Sequence, residues 1–478
     1  MKHTLFLLVL LLTGCSLAPL YVRPVQELPP SWPQTAGESL SSDWWQRFDD
    51  PVLDQLVGEA LEHNRDLAAA TARVLQARAR AGRARGDLAP SPALAGNAEE
   101  SWTSRRIAGG PPKGHESSSL HNIMFNTAWE LDFWGKFRNS ADSADALLLA
   151  TESDLAAARL LVAASTAKAY FSLIGYGFQV RIAEQTLTQR IEALEFYQVN
   201  EAVGFFSRAD LLRAESEVEV ARYSLAMARL GLEETQSALL VLLGRSPDKI
   251  LNASIRPGAS LETFPAAPVL PDDLPSNLLL RRPDLHAAEQ RLRAAHFDVG
   301  VVRADYFPSI SLTGRAGLAG EQPADMTMSG ALTWGYGLNL NLPLDFWNTR
   351  FRELMARAAC QEAAAGYEQA VLSAFSDIRS ILARQSLLAQ AEIALSRNIV
   401  GLQEAAIKAE DRHRHGYSNY LDVLDAGRTL FDAQLSWAQT RTGQLHAAVD
   451  MCMALGGGWE ESTGQVQPPD TSSQKVHP

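Results

Sequence analysis

Chemistry is what this sequence is poorest in. No nucleophile elbow and no zinc-protease motif occurs in its 478 residues, so neither serine acyl transfer nor metal-assisted hydrolysis has its usual machinery. His413 and His415 lie two apart, on different faces of a helix, which makes a poor metal pair and leaves them as expected solvated residues. Glycines 456–458 follow a helical pattern instead of opening one, the wrong order for cradling phosphate. No enzyme activity, metal or soluble cofactor is expected.

Positive charge is also short: 43 Lys and Arg stand against 55 Asp and Glu, a net charge of −12. That balance argues against a nucleic-acid binder and does not favour acidic partners. Only three cysteines occur, Cys15, Cys360 and Cys452. In a helical hairpin turning at Gly416, Cys360 and Cys452 are out of step by about 20 residues, or roughly 30 Å, which excludes a disulfide between them. Proline, with 23 copies in the chain, is missing from 138–200 and from 350–413. Each proline-free stretch reads as one helix of roughly 93 Å, too long for a compact globule.

What the chain has instead is repetition. Residues 411–440, DRHRHGYSNYLDVLDAGRTLFDAQLSWAQT, read as a helix end, a tight turn and a helix start. Arg412 and Arg414 offset the negative end of a helix dipole, and Gly416 supplies the left-handed residue that stops it. Asn419 is the expected N-cap, with Asp422 three places on as a carboxylate form of the capping box. A twin lies 212 positions earlier, pairing Gly204 with Gly416, Ser207 with Asn419 and Asp210 with Asp422. A shift of 218 lays RGDLAPSPALAG (85–96) on RADYFPSISLTG (303–314), and a shift of 213 lays Leu131-Asp132-Phe133-Trp134 on Leu344-Asp345-Phe346-Trp347.

Each copy carries two candidate strands before its long helix. In 309–319, Ile310, Leu312, Ala316 and Leu318 alternate with Ser309, Ser311, Thr313 and Arg315. In 332–342, Leu332, Trp334, Tyr336, Leu338, Leu340 and Leu342 alternate with Thr333, Gly335, Gly337, Asn339 and Asn341. This period of two makes one apolar and one polar face. The first-copy pair, 91–102 and 120–131, is weaker, since Glu100 falls on the apolar side.

The N-terminus gives such strands a setting. Lys2, an apolar run from Leu5 to Leu12 and then Leu12-Thr13-Gly14-Cys15 form a signal too short to span a bilayer as a mature helix. Its ending resembles a bacterial lipobox, in which Cys15 becomes the lipidated first residue. Strands of about 11 residues suit a tilted transmembrane strand, and open sheet edges cannot face lipid. Four strands are too few for a barrel, so several subunits must close it. Two subunits supply eight strands and three supply twelve.

WWxxFxDPxL at 44–53, RPDLxAAEQRLRAA at 282–295, YFPSISL at 306–312 and GxxxYLDVLDA at 416–426 resemble the TolC-like outer-membrane efflux factors, nearest to the nodulation-type lipoproteins. The resemblance covers nearly the whole mature chain. It implies a mainly α fold with a β-barrel part: a homotrimer with a 12-stranded transmembrane barrel, continued by a 12-helix periplasmic α-barrel, with two repeats per chain. It also implies S-diacylglycerol and N-palmitoyl groups on Cys15, outer-membrane lipid around the barrel, and a passive exit duct for a periplasmic adaptor and an inner-membrane transporter. Ser16 after the cysteine favours transfer to the outer membrane. The resemblance places Asp425 at the tunnel constriction as a gate residue, with Asp422 beside it. Gly204, Gly416, Ser207, Asn419 and Asp210 fall at the hairpin tips that contact the adaptor. Relatives often have Tyr where His413 stands and Gln where Gly427 stands, and Gly427 is expected to mark a close helix contact.

The expected layout is a signal peptide (1–14), a lipid-anchored tether (15–50), repeat 1 (51–245), an equatorial connector (246–281), repeat 2 (282–457) and a polar tail (458–478). Repeat 1 holds a helix, a β-hairpin (91–131), a long helix (138–200) and a helix (207–243). Repeat 2 holds a helix, a hairpin (309–342), a long helix (350–413) and a helix (419–455). The main rival is a non-conducting coiled-coil lipoprotein of the envelope, against which the alternating strands speak. A self-contained porin needs many more strands in one chain.

Overall fold

The computed structural model describes residues 16–24, 42–104, 115–264 and 281–459. Cys15, the signal peptide and most of the expected polar tail lie outside them, as do 265–280 of the expected connector. After a short 3-10 turn at Trp44–Phe48, the helices α1 (Pro51–His63) and α2 (Arg65–Gly86) lead into β1 (Ser91–Ser104) and β2 (His115–Glu130). The helices α3 (Lys136–Ala202), α4 (Arg208–Leu242) and the short α5 (Pro247–Asn252) follow. The second half contributes α6 (Pro283–Ala304), β3 (Ser309–Gly320), β4 (Leu332–Asn341), α7 (Phe346–Arg414) and α8 (Tyr420–Ala454).

Local chemistry sets the boundaries. Asn64 separates α1 from α2 because its Oδ1 accepts from the Asp66 and Leu67 amides at 2.9 and 3.1 Å, and its Nδ2 donates to the Leu242 carbonyl at 2.9 Å. The acid of the repeated Leu-Asp-Phe-Trp element caps the long helices. Asp132 accepts from the amides of Phe137 and Arg138, and Asp345 accepts from that of Asn348.

The chain forms two compact units, and each takes segments from both sequence copies. Among the described residues, one combines 16–24, 73–104, 115–152 and 287–368 and holds the sheet. The other combines 42–72, 153–264, 281–286 and 369–459 and holds both helical turns. The sheet is antiparallel in the order β1-β2-β3-β4. Its two hairpins, one from each copy, join through β2 and β3. The weak first-copy strand forms in full, with Glu100 opposite Ser119, because β2 runs back to His115, five residues beyond the expected start, and pairs along its length.

The segment 15–50, expected as an extended tether, is packed at both of its described ends. Residues 16–24 are held against α6, where Arg23 pairs with Glu289 and the Tyr21 hydroxyl donates to it at 3.2 Å, and Trp44 and Phe48 are each only 1% exposed. In the unit that holds the turns, Phe48 packs on Phe171 (ring centroids 4.9 Å apart) and Phe171 on Phe264 (5.3 Å). Asp50 caps α1 and accepts from the Tyr170 hydroxyl at 2.6 Å, and that hydroxyl accepts from the Gly258 amide at 3.0 Å. The Trp-Trp motif is therefore core. The connector likewise contains a helix, α5, where no periodicity is legible.

Candidate functional site

The first candidate surface is one face of the sheet. Residues opposite each other in an antiparallel ladder point to the same side. The register pairs Ile310 with Leu340, Leu312 with Leu338, Ala316 with Trp334 and Leu318 with Leu332. It continues through Ile123 opposite Leu318 and Phe125 opposite Ala316, then Leu94 opposite Phe125. Trp334, Tyr336, Leu338 and Leu340 are between 68% and 83% exposed. One face of a four-stranded sheet is thus apolar across its width and uncovered in the single chain.

The other face is small and polar. Thr313 stands opposite Gly337, Arg315 opposite Gly335 and Ser311 opposite Asn339. Side chains on this face need the glycines: a Cβ at Gly337 would lie 3.2 Å from the Thr313 hydroxyl, and one at Gly335 would lie 3.4 Å from Arg315 Nε. A Cβ at Gly317 would meet the Ile123 carbonyl oxygen at 2.1 Å. Among the described residues, neither outer strand, β1 nor β4, has a partner on its free edge.

The second candidate surface is the pair of helical turns. Gly204 (φ +79°) and Gly416 (φ +76°) occupy the left-handed conformation that glycine adopts at little cost. The bonds around them match. Phe205 donates to the Asn200 carbonyl and Tyr417 to the Arg412 carbonyl, both at 2.8 Å. Gly204 donates to Glu201 and Gly416 to His413, at 2.8 and 2.9 Å. Both turns are Schellman motifs.

The caps that follow differ. Ser207 accepts from the Asp210 amide and donates to the Asp210 carboxylate at 2.6 Å. Asn419 holds the N-cap position with extended backbone, but its side chain makes no capping bond. The capping box expected of Asn419 and Asp422 does not form, and only the backbone bond common to both copies remains, Asp422 to the Asn419 carbonyl at 3.1 Å.

Tyr197, Leu211, Ala214, Tyr420 and Leu424 form the apolar core between the turns. The rings of Tyr197 and Tyr420 lie 4.3 Å apart. His413 is half-buried against this cluster, its ring 5.6 Å from that of Tyr420, whereas His415 is exposed. The Tyr197 hydroxyl is 2.9 Å from its Nε2, and its Nδ1 is 3.1 Å from the Ser418 carbonyl oxygen. Burial pushes the Tyr197 phenol well above its ordinary range. Tyr420 is raised by burial too, against the pull of the Arg190 guanidinium.

Gly427 does mark a close contact. A Cβ there would lie 3.0 Å from Arg190 Nη2, so the glycine makes room for a guanidinium that also reaches Glu217 at 3.9 Å. Arg190, His413, Tyr420 and Gly427 line a groove of about 730 Å³ between α3 and the α7–α8 turn. Asp422 and Asp425 are both exposed on α8. Asp425 pairs with Arg428 at 2.9 Å, and Asp210 pairs with Arg213 at 3.6 Å. Exposed pairs of this kind contribute little to stability. Among the described residues, no group of acids, histidines and cysteines is placed to hold a metal. Cys360 and Cys452 are free, and burial pushes the Cys452 thiol up to about 12.

Comparison with known proteins decides the family. The profile of the family described as outer membrane efflux protein matches residues 56–245 and 274–457. The chain belongs to that family. It is 31% identical over 466 residues to the cation efflux system protein CusC of Escherichia coli O157:H7, covering 95% of this chain and 98% of CusC. The CmeC outer-membrane channel of Campylobacter jejuni superposes with a TM-score of 0.87 at 24% identity, covering 94% of this chain and 96% of CmeC. The open state of the MtrE outer-membrane channel of Neisseria gonorrhoeae superposes with a TM-score of 0.81 at 30% identity, covering 94% and 100%.

This efflux protein therefore has the TolC-like channel fold, mostly helical with a small β part. It is an outer-membrane channel component of efflux. Its family is one of channel proteins.

Proposed function

We propose that this efflux protein is the outer-membrane exit duct of a tripartite pump and conducts small molecules passively. The observation that carries this reading is the sheet: one uncovered apolar face, one small polar face and two free edges. No open edge is tolerated in lipid, so β4 of one copy pairs with β1 of the next. Three copies then close a twelve-stranded barrel with the apolar face outward, and their long helices line a twelve-helix tunnel.

Exposed apolar side chains on the helices support a homotrimer. Val220, Tyr223, Met227 and Leu230 on α4, and Ile393, Val400 and Ile407 on α7, are uncovered in the single chain. Their spacings of three, four and seven are those of a helix-packing seam. A neighbouring copy is the partner these seams fit. The turns at Gly204 and Gly416, with Ser207, Asn419 and Asp210 beside them, form the surface offered to a periplasmic adaptor and through it to an inner-membrane transporter. Asp425, flanked by Asp422, guards the aperture. Cys15 carries S-diacylglycerol and N-palmitoyl groups that anchor the chain.

The cargo is not fixed by likeness. CusC is named for cation efflux and TtgC of a Pseudomonas putida strain for toluene efflux, and both are 31% identical to this chain.

The face assignment is tested by single cysteines in liposome-inserted protein. A membrane-impermeant maleimide is expected to label Asn339→Cys from the water-filled side and to spare Leu338→Cys. The reverse pattern overturns the register.

A further inference from the structure

The repeated Leu-Asp-Phe-Trp element sits in two different surroundings. In the first copy Leu131, Asp132, Phe133 and Trp134 are all half-buried. Trp134 closes the foot of the seam between β2 and β3. Its ring stacks on Phe307 with centroids 4.6 Å apart, and its indole N–H donates to the Pro308 carbonyl at 2.8 Å. Beside it the Leu131 amide donates to the Ile310 carbonyl at 2.8 Å, and Lys136 pairs with Asp305 at 3.0 Å. In the second copy Leu344, Asp345, Phe346 and Trp347 are all exposed, Trp347 by 76%.

The duplication points to what covers Trp347. The shift of 218 puts Ala89 and Pro90 where Phe307 and Pro308 stand, and Asp87 where Asp305 stands. Ala89 and Pro90 lead into β1, at one edge of the sheet, and both are exposed. Among the described residues, neither Asp87 nor Arg350, near the start of α7, has an ion pair. Trp347 follows β4, at the other edge, with β2 and β3 between. Three strand spacings separate the edges by about 14 Å, so Trp347 fits the Pro90 of a second copy and not its own.

We propose that Trp347 is the staple between subunits, donating its indole N–H to the Pro90 carbonyl of the next copy as Trp134 does to Pro308. Ala89 removes the stacked ring, so the N–H bond and the prolyl ring carry the contact. The staple deepens the reading of a barrel shared by three copies and rests on it.

The same comparison sets the register of the shared ladder. Within the chain Phe125 faces Ala316 and Asn126 faces Arg315. The shifts of 213 and 218 turn these pairs into Leu338 opposite Ala98 and Asn339 opposite Asn97 of the next copy. Two features of the sequence fit this register. Leu338 and Ala98 both belong to the apolar face and the two asparagines to the polar one, whereas a slip of one residue sets apolar against polar. Glu100, the one acid on the apolar side of β1, falls opposite the Tyr336 hydroxyl, and Trp102 falls opposite Trp334, all three aromatic rings being at least 67% exposed in the single chain.

Cysteine pairs in full-length protein with Cys360→Ala read the register. Oxidised Asn97→Cys with Asn339→Cys is expected to run as a covalently linked trimer on a non-reducing gel. Ala95→Cys or Glu99→Cys with Asn339→Cys shares the face but lies on the diagonal, about 7–8 Å away instead of about 5 Å, and should cross-link about tenfold more slowly. The reverse preference overturns the register. A benzophenone side chain in place of Trp347 reads the staple. Irradiation is expected to give a covalent dimer, with the link mapped by mass spectrometry to residues 88–92. Adducts to lipid or within one chain overturn the staple. Native mass spectrometry of the same sample separates the two layers. A trimer with misplaced adducts keeps the shared barrel and overturns the staple, whereas a monomer overturns the barrel as well.

Discussion

Arginine at Leu338 is expected to abolish stable insertion. Leu338 lies opposite Leu312 on the apolar face and is 68% exposed in the single chain. A charged side chain on the lipid face near mid-membrane costs about 2–4 kcal/mol, and a trimer bears that cost three times. The matched control is Asn339→Arg, one residue along and on the opposite face, where Arg315 already resides. That variant should insert, because water solvates the added charge. Heat-resistant trimer in the outer-membrane fraction is the readout. Normal insertion of Leu338→Arg with loss of Asn339→Arg would mean the faces are reversed.

Asn at Asp425 is expected to change what the channel passes. Asp425 and Arg428 pair on an exposed face of α8, so each chain presents one charge of each sign there. In the proposed trimer, removing the carboxylate leaves three arginines around the aperture. At about 4 Å in water a single charge is worth about 1 kcal/mol, so cation preference should fall by about fivefold or more per bound ion. Asp422→Asn should change less, because Asp422 sits at the helix start, where its charge is balanced by the helix dipole. Reversal potentials in a salt gradient measure both. Wild-type values for Asp425→Asn alongside altered ones for Asp422→Asn would move the gate to the other carboxylate.

The helices and turns were legible because each rests on local chemistry. Proline-free runs, Gly204 and Gly416, and the acid in each Leu-Asp-Phe-Trp element placed α3, α7 and their ends within a few residues. The second-copy strands were legible from their period of two. The first-copy strands were less so, since β1 takes its ladder from β2 despite Glu100. Contacts distant in sequence stayed hidden. Nothing near Tyr21 or Arg23 announces Glu289, which lies 268 and 266 positions away. His413 looked solvated because its partner, Tyr197, is 216 positions earlier. The Asn419 cap shows the opposite limit: the residue type was right for the place, but the backbone alone closes the turn.

The central claim, that three chains enclose one water-filled path through the membrane, is tested most directly by purified full-length protein in a planar bilayer. Discrete, uniform conductance steps that appear only with the trimer, and vanish in Leu338→Arg, are the result this account predicts. Membrane-inserted trimer that passes no current, at any voltage and with the helical tips proteolytically removed, would contradict it.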